Sequence, residues 1–420
     1  MRLLSAIFVA LAIIGAAAVA KGADPTATNY TMEECRGSAM PYVVPQQAVN
    51  YPDTLTPVLI NHVGRHGARF LSSPRHANIL HDALNRADSA GTLTPVGRKL
   101  KKLTEYIIRN SEGRWGALDS LGMAEQRGIA SRMYASFPEL FRGRKINALS
   151  SYSPRCIMSM YEFTHQLSRL DNKLEIYTSS GRQNSTLMRF FDNNEEYREA
   201  VRSEAMKTAY SDFASRTMTL VPLKRVLGEG FPLGDDAADI AMAEYEVIAG
   251  TAAMGIDCDM SPYFTREELN ALWSIKNMSQ YLQRTQTTVS AIPAEIASPL
   301  LRELITTTDD VAEGRSKATV LLRFGHAETL MPLLSLMHLP GCYYLTNYFD
   351  TVGKHWMNFH VVPMASNLQI ILFRSDRGHY YVRFDLNEVP VPLTPDGPIY
   401  TPWREVKTKL NSYMPLWEQL

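Results

Sequence analysis

A cluster of arginine and histidine residues follows a short apolar run near the start of the chain. Arg65, His66 and Arg69 lie around Gly67, directly after the apolar run 57–63. An arginine binds two phosphoryl oxygens with its planar guanidinium group and stays charged at any relevant pH. A histidine among such cations stays neutral more readily, and a neutral imidazole can attack phosphorus. These residue types therefore predict phosphoryl chemistry, and the alternative is a solvated loop that caps a strand.

A second cluster later in the chain repeats this arrangement. The apolar run 320–324 leads into Gly325, His326, Ala327 and Glu328. His326 can donate a hydrogen bond to a phosphate, and Glu328 can supply the proton that a poor alkoxide leaving group requires. The alternative for Glu328 is an acidic residue in the first turn of a helix, where the macrodipole favours negative charge. The repetition favours one site built from both clusters.

The elements that must position these clusters alternate between strands and helices. Apolar runs predict buried strands over 57–63, 146–149 and 320–324, and residues 368–373 and 380–386 predict a hairpin. Apolar residues at helical spacing lie between the strands. The pattern predicts an α/β fold with a mostly parallel sheet flanked by helices. Ligands bind at the carboxyl ends of the strands in such sheets, where both clusters lie.

The pattern changes to helical windows from about residue 186 to residue 308. We therefore predict an α/β catalytic domain formed by residues 50–185 and 309–420, with a mainly helical cap, residues 186–308, inserted between its halves. Residues 21–50 are rich in polar residues and proline without clear periodicity, so we predict an N-terminal arm there.

The first twenty residues predict a signal peptide rather than part of the fold. Arg2 is followed by an apolar, alanine-rich run that ends at Ala20, which predicts cleavage before Lys21. The alternative is an uncleaved membrane anchor, although the run is short for a membrane span. We expect an exported protein, periplasmic or secreted, with no membrane association after cleavage.

Charge and residue spacing argue against several other classes of protein. The formal net charge is zero, which provides no general attraction for nucleic acid. No close metal-binding pattern of histidine or cysteine occurs, nor a nucleotide-binding glycine motif, so we predict no metal and no cofactor. After export the four cysteines could form up to two disulfides or stay buried and reduced. These cysteines are Cys35, Cys156, Cys258 and Cys342.

The first cluster resembles the signature of histidine phosphatases of the acid phosphatase and phytase branch. Arg155, within the sequence Ser-Pro-Arg, is similar to that family's distal phosphate-binding arginine. Most members of the branch carry a His-Asp pair in the second cluster, but here Ala327 occupies the aspartate position. The triplet of His326, Ala327 and Glu328 instead resembles the multiple inositol polyphosphate phosphatase group. The resemblance covers about residues 56–390.

This resemblance implies a role for each residue of both clusters. His66 would form a covalent phosphohistidine, and Glu328 would protonate the leaving oxygen and then activate water. The phosphoryl oxygens would be held by Arg65, Arg69, Arg155 and His326. The implied substrate is a small polyphosphorylated molecule, an inositol polyphosphate such as phytate. The alternatives are a broad-specificity phosphatase of small phosphomonoesters and a non-catalytic protein that binds a phosphorylated ligand.

A substrate with many phosphates needs cations beyond the scissile group. Arg189, Lys224 and Arg225 in the predicted cap are our candidates for these contacts. The alternative is that they are solvated surface residues, as isolated basic residues on helices usually are.

Overall fold

Within the described residues, a sheet of eight strands forms the centre of the fold. The computed structural model describes residues 29–46 and 49–416, so the predicted signal peptide lies outside the described residues. The strands are β1 (Leu55–Arg65), β2 (Lys145–Ser150), β3 (Glu175–Ser180), β4 (Val320–Gly325), β5 (Asn367–Ser375), β6 (Tyr380–Leu386), β7 (Val389–Val391) and β8 (Thr401–Pro402).

Helices cover the sheet and fill the sequence between its strands. The α-helices are α1 (Arg75–Ser89), α2 (Pro95–Ser111), α3 (Ser120–Ser136), α4 (Pro138–Phe141), α5 (Pro154–Leu170), α6 (Ser185–Met188), α7 (Phe190–Asn193), α8 (Glu195–Arg202), α9 (Glu204–Thr217), α10 (Val221–Leu227), α11 (Ala237–Ala249), α12 (Arg266–Arg284), α13 (Ile292–Glu295), α14 (Ser298–Ala312), α15 (Ala327–Leu336), α16 (Val352–His355), α17 (Asn358–Val361) and α18 (Trp403–Tyr413). Four 3-10 helices are Glu34–Ala39, Arg182–Asn184, Ala252–Met254 and Phe349–Thr351.

The strand order places the two predicted clusters side by side. It is β3-β2-β4-β1-β5-β6-β7, and β8 pairs with β6. Strands β1 to β4 pair in parallel, whereas the pairings of β5 to β8 are antiparallel. The predicted α/β class with a helix-flanked sheet is confirmed, and the hairpin predicted near the end is formed by β5 and β6.

Alternation along β1 directs its side chains into two apolar layers. Leu59 and Val63 belong to a core that includes residues of α14 and α15, whereas Ile60 belongs to a core with residues of α3 and α5. Successive side chains of a strand point to opposite faces, so β1 is covered on both sides. His62 is also buried in this strand, and its ring lies 5.4 Å from that of Phe163.

The region between β3 and β4 is helical throughout its described regular structure, from α6 to α14. The division into an α/β domain and a cap stays a prediction. Among the described residues of the arm, Cys35, Arg36 and Gly37 are buried rather than exposed. Arg36 Nη1 donates hydrogen bonds to Thr251 Oγ1 and to the carbonyl oxygen of Ile248, both in the helical region.

All four cysteines lie within the described residues and are free thiols, and only Cys258 is not fully buried. Of the two states left open by the sequence, the structure therefore has the reduced one. None of the described helices combines the length and apolar character needed to cross a membrane.

Candidate active site

The carboxyl ends of three neighbouring parallel strands form the base of the site. Arg65 at the end of β1 pairs in register with Gly325 at the end of β4, so His66 and His326 leave the sheet side by side. Their ring centroids are 5.8 Å apart. Ser150 ends β2 opposite Phe324, which brings the start of α5 and its Arg155 to the same edge. The predicted convergence of the two clusters is therefore confirmed.

The backbone of the first cluster is held by hydrogen bonds from four directions. The amide of His66 donates to the carbonyl of Gly325 at 3.0 Å, and its carbonyl accepts from the amide of Ala365 at 3.1 Å. The amide of Gly67 donates to Ser159 Oγ at 3.1 Å, and the amide of Ala68 donates to Glu125 Oε2 at 2.7 Å. These bonds fix the direction in which the His66 ring leaves the backbone.

Helix α3 approaches this backbone at the closest distance that glycine permits. A β-carbon on Gly122 would lie 2.2 Å from the carbonyl oxygen of Ala68, and one on Gly67 would lie 2.4 Å from the carbonyl oxygen of Gly122. Both distances are shorter than real contacts. Two glycines are therefore needed where the loop and the helix meet.

The His66 ring has a defined tautomer. Its Nδ1 lies 2.9 Å from the carbonyl oxygen of Gly67. A carbonyl oxygen only accepts, so Nδ1 carries the proton and Nε2 keeps a lone pair. Burial, followed by the charges of Arg155 and Arg65, lowers the pKa of His66 well below its ordinary value. The ring is therefore neutral and can act as a nucleophile through Nε2.

Three arginines gather around this ring with unused donors. The Nε atoms of Arg65, Arg69 and Arg155 are buried and have no hydrogen-bond partner within the described part of the chain. Burial and the neighbouring guanidinium groups lower the pKa of Arg65 to about 9 and that of Arg69 to about 10, so both remain charged at neutral pH. Buried cationic donors of this kind suit an anion such as a phosphoryl group.

The ring of His326 lies between Arg155 and Arg189. Its Nδ1 is 3.1 Å from Arg155 Nη2, and its Nε2 is 2.8 Å from Arg189 Nη1 and 2.9 Å from Ser151 Oγ. Burial and then the charge of Arg155 lower the pKa of His326. The structure thus brings Arg189, the predicted cap residue, into direct contact with the second cluster.

Glu328 lies in the first turn of α15, beside His326. Burial alone would raise the pKa of its carboxyl group, but the charges of Arg284 and Arg65 and a backbone hydrogen bond outweigh burial and lower it. The carboxyl group is therefore ionised in the free site. A phosphate group bound among these residues would add negative charge and raise that pKa again.

These residues open into a cleft of about 230 Å³, which we call the active-site cleft. Its lining includes His66, Arg65, Arg69, Arg155 and Glu328 together with Ser38, Ala39, His76, Glu246, Lys276 and Gln280. No sequence motif indicated the last six of these residues. Ser38 acts through its backbone, since its carbonyl oxygen accepts from Arg65 Nη1 at 2.6 Å, so no side-chain pattern could reveal it.

Arg284 is a further residue that sequence reasoning missed. It is the last residue of the long helix α12, it donates a hydrogen bond to Tyr197 Oη, and its guanidinium group lies 5.9 Å from the ring of Phe191. Phe191 in turn contacts the ring of His326 at 5.9 Å. Only the fold brings this helix end to the second cluster.

Lys224 and Arg225 lie in α10, outside the lining of the active-site cleft. Lys224 pairs with Glu229 at 3.3 Å, and Arg225 binds Glu268 with both terminal nitrogens, at 2.7 and 2.9 Å. Within residues 29–46 and 49–416, no group of three or more His, Cys, Asp or Glu side chains is placed to hold a metal ion.

Comparisons with known proteins agree on one family. A family model described as "Histidine phosphatase superfamily (branch 2)" matches residues 60–387. Human multiple inositol polyphosphate phosphatase 1 is 26% identical over 371 residues, which are 81% of this chain and 76% of the human protein.

Solved structures share the fold over almost the whole chain. A multiple inositol polyphosphate phosphatase of Bifidobacterium longum, solved in complex with inositol hexasulfate, superposes with a TM-score of 0.75 at 20% identity and covers 92% of this chain and 99% of its own. The phytase of D. castellii gives a TM-score of 0.73 at 16% identity, with coverage of 94% of this chain and 89% of its own.

Proposed function

Since this chain belongs to the histidine phosphatase superfamily, branch 2, and is a phosphomonoesterase, we propose that it removes phosphate groups from inositol polyphosphates. The reaction proceeds through a phosphohistidine on His66, and Glu328 is the proton donor. One observation carries the mechanism. His66 is neutral, has Nε2 available and lies among arginines whose buried Nε atoms lack partners within the described residues.

In the first step, the lone pair of His66 Nε2 forms a bond to phosphorus as the bond between phosphorus and the leaving oxygen breaks. Arg65, Arg69 and Arg155 stabilise the negative charge that spreads over the other phosphoryl oxygens. The carboxyl group of Glu328 gives its proton to the leaving alkoxide. The products are a free hydroxyl on the substrate and a phosphorylated His66.

In the second step, water attacks the phosphorus of the phosphohistidine. Glu328, now a carboxylate, takes a proton from this water, and the bond between phosphorus and Nε2 breaks. Inorganic phosphate leaves and His66 becomes neutral again. The lowered pKa of Glu328 keeps its carboxyl group ionised in the free site. The negative charge of the substrate or of the phosphorylated His66 raises that pKa, so that Glu328 can hold a proton for the first step and accept one in the second.

The choice of an inositol polyphosphate is supported by the family relatives and by the cations of the site. The human relative and the B. longum protein are named as multiple inositol polyphosphate phosphatases, and the latter was solved with inositol hexasulfate. Beyond the three phosphate-binding arginines, Arg189 contacts His326 and Lys276 lines the cleft, and each is paired with a carboxylate, that of Asp192 and that of Glu246. Contact of Lys224 and Arg225 with substrate stays a prediction.

We also propose that the protein is exported after cleavage between Ala20 and Lys21. The support is the apolar run that follows Arg2 and ends in small residues. N-terminal sequencing of the protein recovered from outside the cytoplasm tests this, and an intact Met1 would contradict it.

The function is tested by phosphate release from phytate by the purified mature chain in excess chelator. We expect the wild type to release several phosphates per molecule in sequence and His66→Ala to release none. His165→Ala, which changes an exposed histidine outside the cleft lining, is the control for the loss of an imidazole elsewhere in the protein.

A wild type that hydrolyses a small phosphomonoester but leaves phytate intact would contradict the inositol assignment and favour the broad-specificity phosphatase. Activity that is lost with chelator and restored by a divalent metal would contradict the mechanism.

A further inference from the structure

The active-site cleft contains a second acidic residue that the proposed mechanism does not use. Glu246 of α11 lines the cleft together with Lys276 of α12 and His76 of α1. Its side chain is 22% exposed, and it is within reach of a ligand in the cleft. An acidic side chain is unexpected in the wall of a site that binds polyanions.

The negative charge of Glu246 is balanced by Lys276, and this contact engages the ammonium group that could otherwise bind a phosphate. Lys276 Nζ forms an ion pair with Glu246 Oε1. Burial would raise the pKa of the Glu246 carboxyl group, but the ammonium group of Lys276 outweighs burial and lowers it. His76 adds no positive charge at neutral pH because burial lowers its pKa.

Glu246 also acts on the phosphate-binding arginines. Its negative charge is among the influences that raise the pKa of Arg69, and the charge of Arg69 lowers that of Glu246. The carboxylate is therefore close enough to Arg69 for its charge to affect the pKa of that phosphate-binding side chain. A substrate phosphate bound beside α11 and α12 would lie next to the carboxylate of Glu246. To bind Lys276, it would have to break the ion pair between Lys276 and Glu246.

A hydroxyl group of the substrate would interact differently with the side of the cleft formed by α11 and α12. It can donate a hydrogen bond to the carboxylate oxygen of Glu246, and the ion pair with Lys276 stays intact. A phosphate cannot donate in its fully ionised form, and like charges at short range are unfavourable. The wall formed by α11 and α12 thus discriminates between the two groups that an inositol ring can carry.

We propose that Glu246 determines specificity by disfavouring a phosphate and favouring a hydroxyl on the part of the substrate that faces α11 and α12. This inference rests on the proposed function and adds a substrate preference to it. Partly dephosphorylated inositol phosphates then bind with a hydroxyl against Glu246, whereas the hexakisphosphate binds at the cost of the ion pair.

The test compares kcat/KM for inositol hexakisphosphate and for an inositol trisphosphate in the wild type and in Glu246→Gln. Glutamine keeps the shape of the side chain and removes its charge. We expect the ratio of hexakisphosphate to trisphosphate kcat/KM to rise about tenfold, mainly through KM. Glu204→Gln is the matched control, since it removes a carboxylate paired with Lys207 on an exposed helix face, and it should leave the ratio as in the wild type.

Two further measurements separate the explanations. Lys276→Met should lower the same ratio, and Glu246→Gln added to Lys276→Met should raise it again, because the unpaired carboxylate rather than the lost ammonium group then causes the loss. Calorimetric binding of inositol hexasulfate, which needs no turnover, should be tighter for Glu246→Gln than for the wild type.

An unchanged or lower ratio in Glu246→Gln, with weaker binding of inositol hexasulfate, would overturn the inference, since Glu246 would then serve to hold Lys276 ready for a phosphate. A wild type inactive on both inositol phosphates would contradict the proposed function instead. In that event the hexasulfate binding still decides whether Glu246 repels a polyanion.

Discussion

His66 and His326 are two buried imidazoles whose hydrogen-bond partners give them different chemical roles. The Nδ1 of His66 is bound to a carbonyl oxygen, which leaves Nε2 as a nucleophile. Both nitrogens of His326 face arginine donors, at 3.1 and 2.8 Å. Burial and the charge of Arg155 lower the pKa of His326, so it is a neutral ring that lies within the group of arginines around the site. Of the two rings, His66 has the environment of a nucleophile.

At the residue scale, we predict that Glu328→Gln slows the release of phosphate without loss of substrate binding. Glutamine cannot donate a carboxyl proton to the leaving oxygen, and general acid catalysis contributes about 10²- to 10⁴-fold to rate. We expect kcat on phytate to fall by about that factor, measured by steady-state kinetics. The rate of His66 phosphorylation, measured as the burst phase, should fall less on a substrate with a good leaving group, such as a nitrophenyl phosphate. An equal loss of this rate on both substrates would contradict the assignment.

The sequence predicted the reacting residues because they belong to short clusters that end strands. Arg65, His66 and Arg69 are neighbours in the chain, and the register of β1 with β4 brings His326 beside them. Lys276 and Arg284 could not be found in this way. They lie on one long helix without a local motif, and the packing of that helix against other helices, among them α11 and α15, brings them to the cleft.

At the element scale, the contact between α3 and the first cluster depends on glycine. We predict that Gly122→Ala disrupts the site, because the added methyl group would lie 2.2 Å from the carbonyl oxygen of Ala68. Overpacking of this kind costs about 1–3 kcal/mol. We expect a lower free energy of unfolding in urea and a strong loss of kcat on phytate.

Gly128→Ala in the same helix is the matched control. A β-carbon there meets only the end of the flexible Arg132 side chain, at 3.0 Å. Since alanine favours a helix over glycine by about 1 kcal/mol, this variant should be as stable as the wild type or more so, and active. A stable and fully active Gly122→Ala would contradict the role assigned to the close approach.

The order of the elements was predicted well where apolar runs were short and bounded, as for β1, β2, β4 and the hairpin of β5 and β6. Strand β3 was missed, since Tyr177 and Thr178 at its centre are exposed and the segment lacks an apolar run. The arm was predicted only as a polar segment. Its Ser38 carbonyl binds Arg65, a contact that depends on backbone position and leaves no trace in residue type.

At the scale of the whole molecule, stability should depend on a carboxyl group that does not line the active-site cleft. Glu244 in α11 is fully buried, and neither of its oxygens has a partner among the described residues. Burial raises its pKa from 4.5 to about 8, although the charge of Arg225 opposes this. The folded protein thus binds a proton here that the unfolded chain loses at lower pH.

The sign of the pH dependence follows from this shift. The contribution of Glu244 to stability is fully present below pH 4.5 and is lost as the pH rises towards about 8. We predict that Glu244→Gln, which does not ionise, gains in melting temperature relative to the wild type as the pH rises through this interval. A difference in melting temperature that is constant from acidic to mildly alkaline pH would contradict the prediction.

The whole account depends on a covalent bond between His66 and the transferred phosphoryl group. The most direct test is rapid alkaline quenching of the enzyme during turnover of phytate, followed by mass spectrometry of the peptide that contains residues 65–69. We predict one phosphoryl group on His66, stable to alkali, lost in acid and absent from His66→Ala. Phosphate release by an enzyme whose His66 stays unmodified, or a phosphoryl group on another residue, would contradict the central claim.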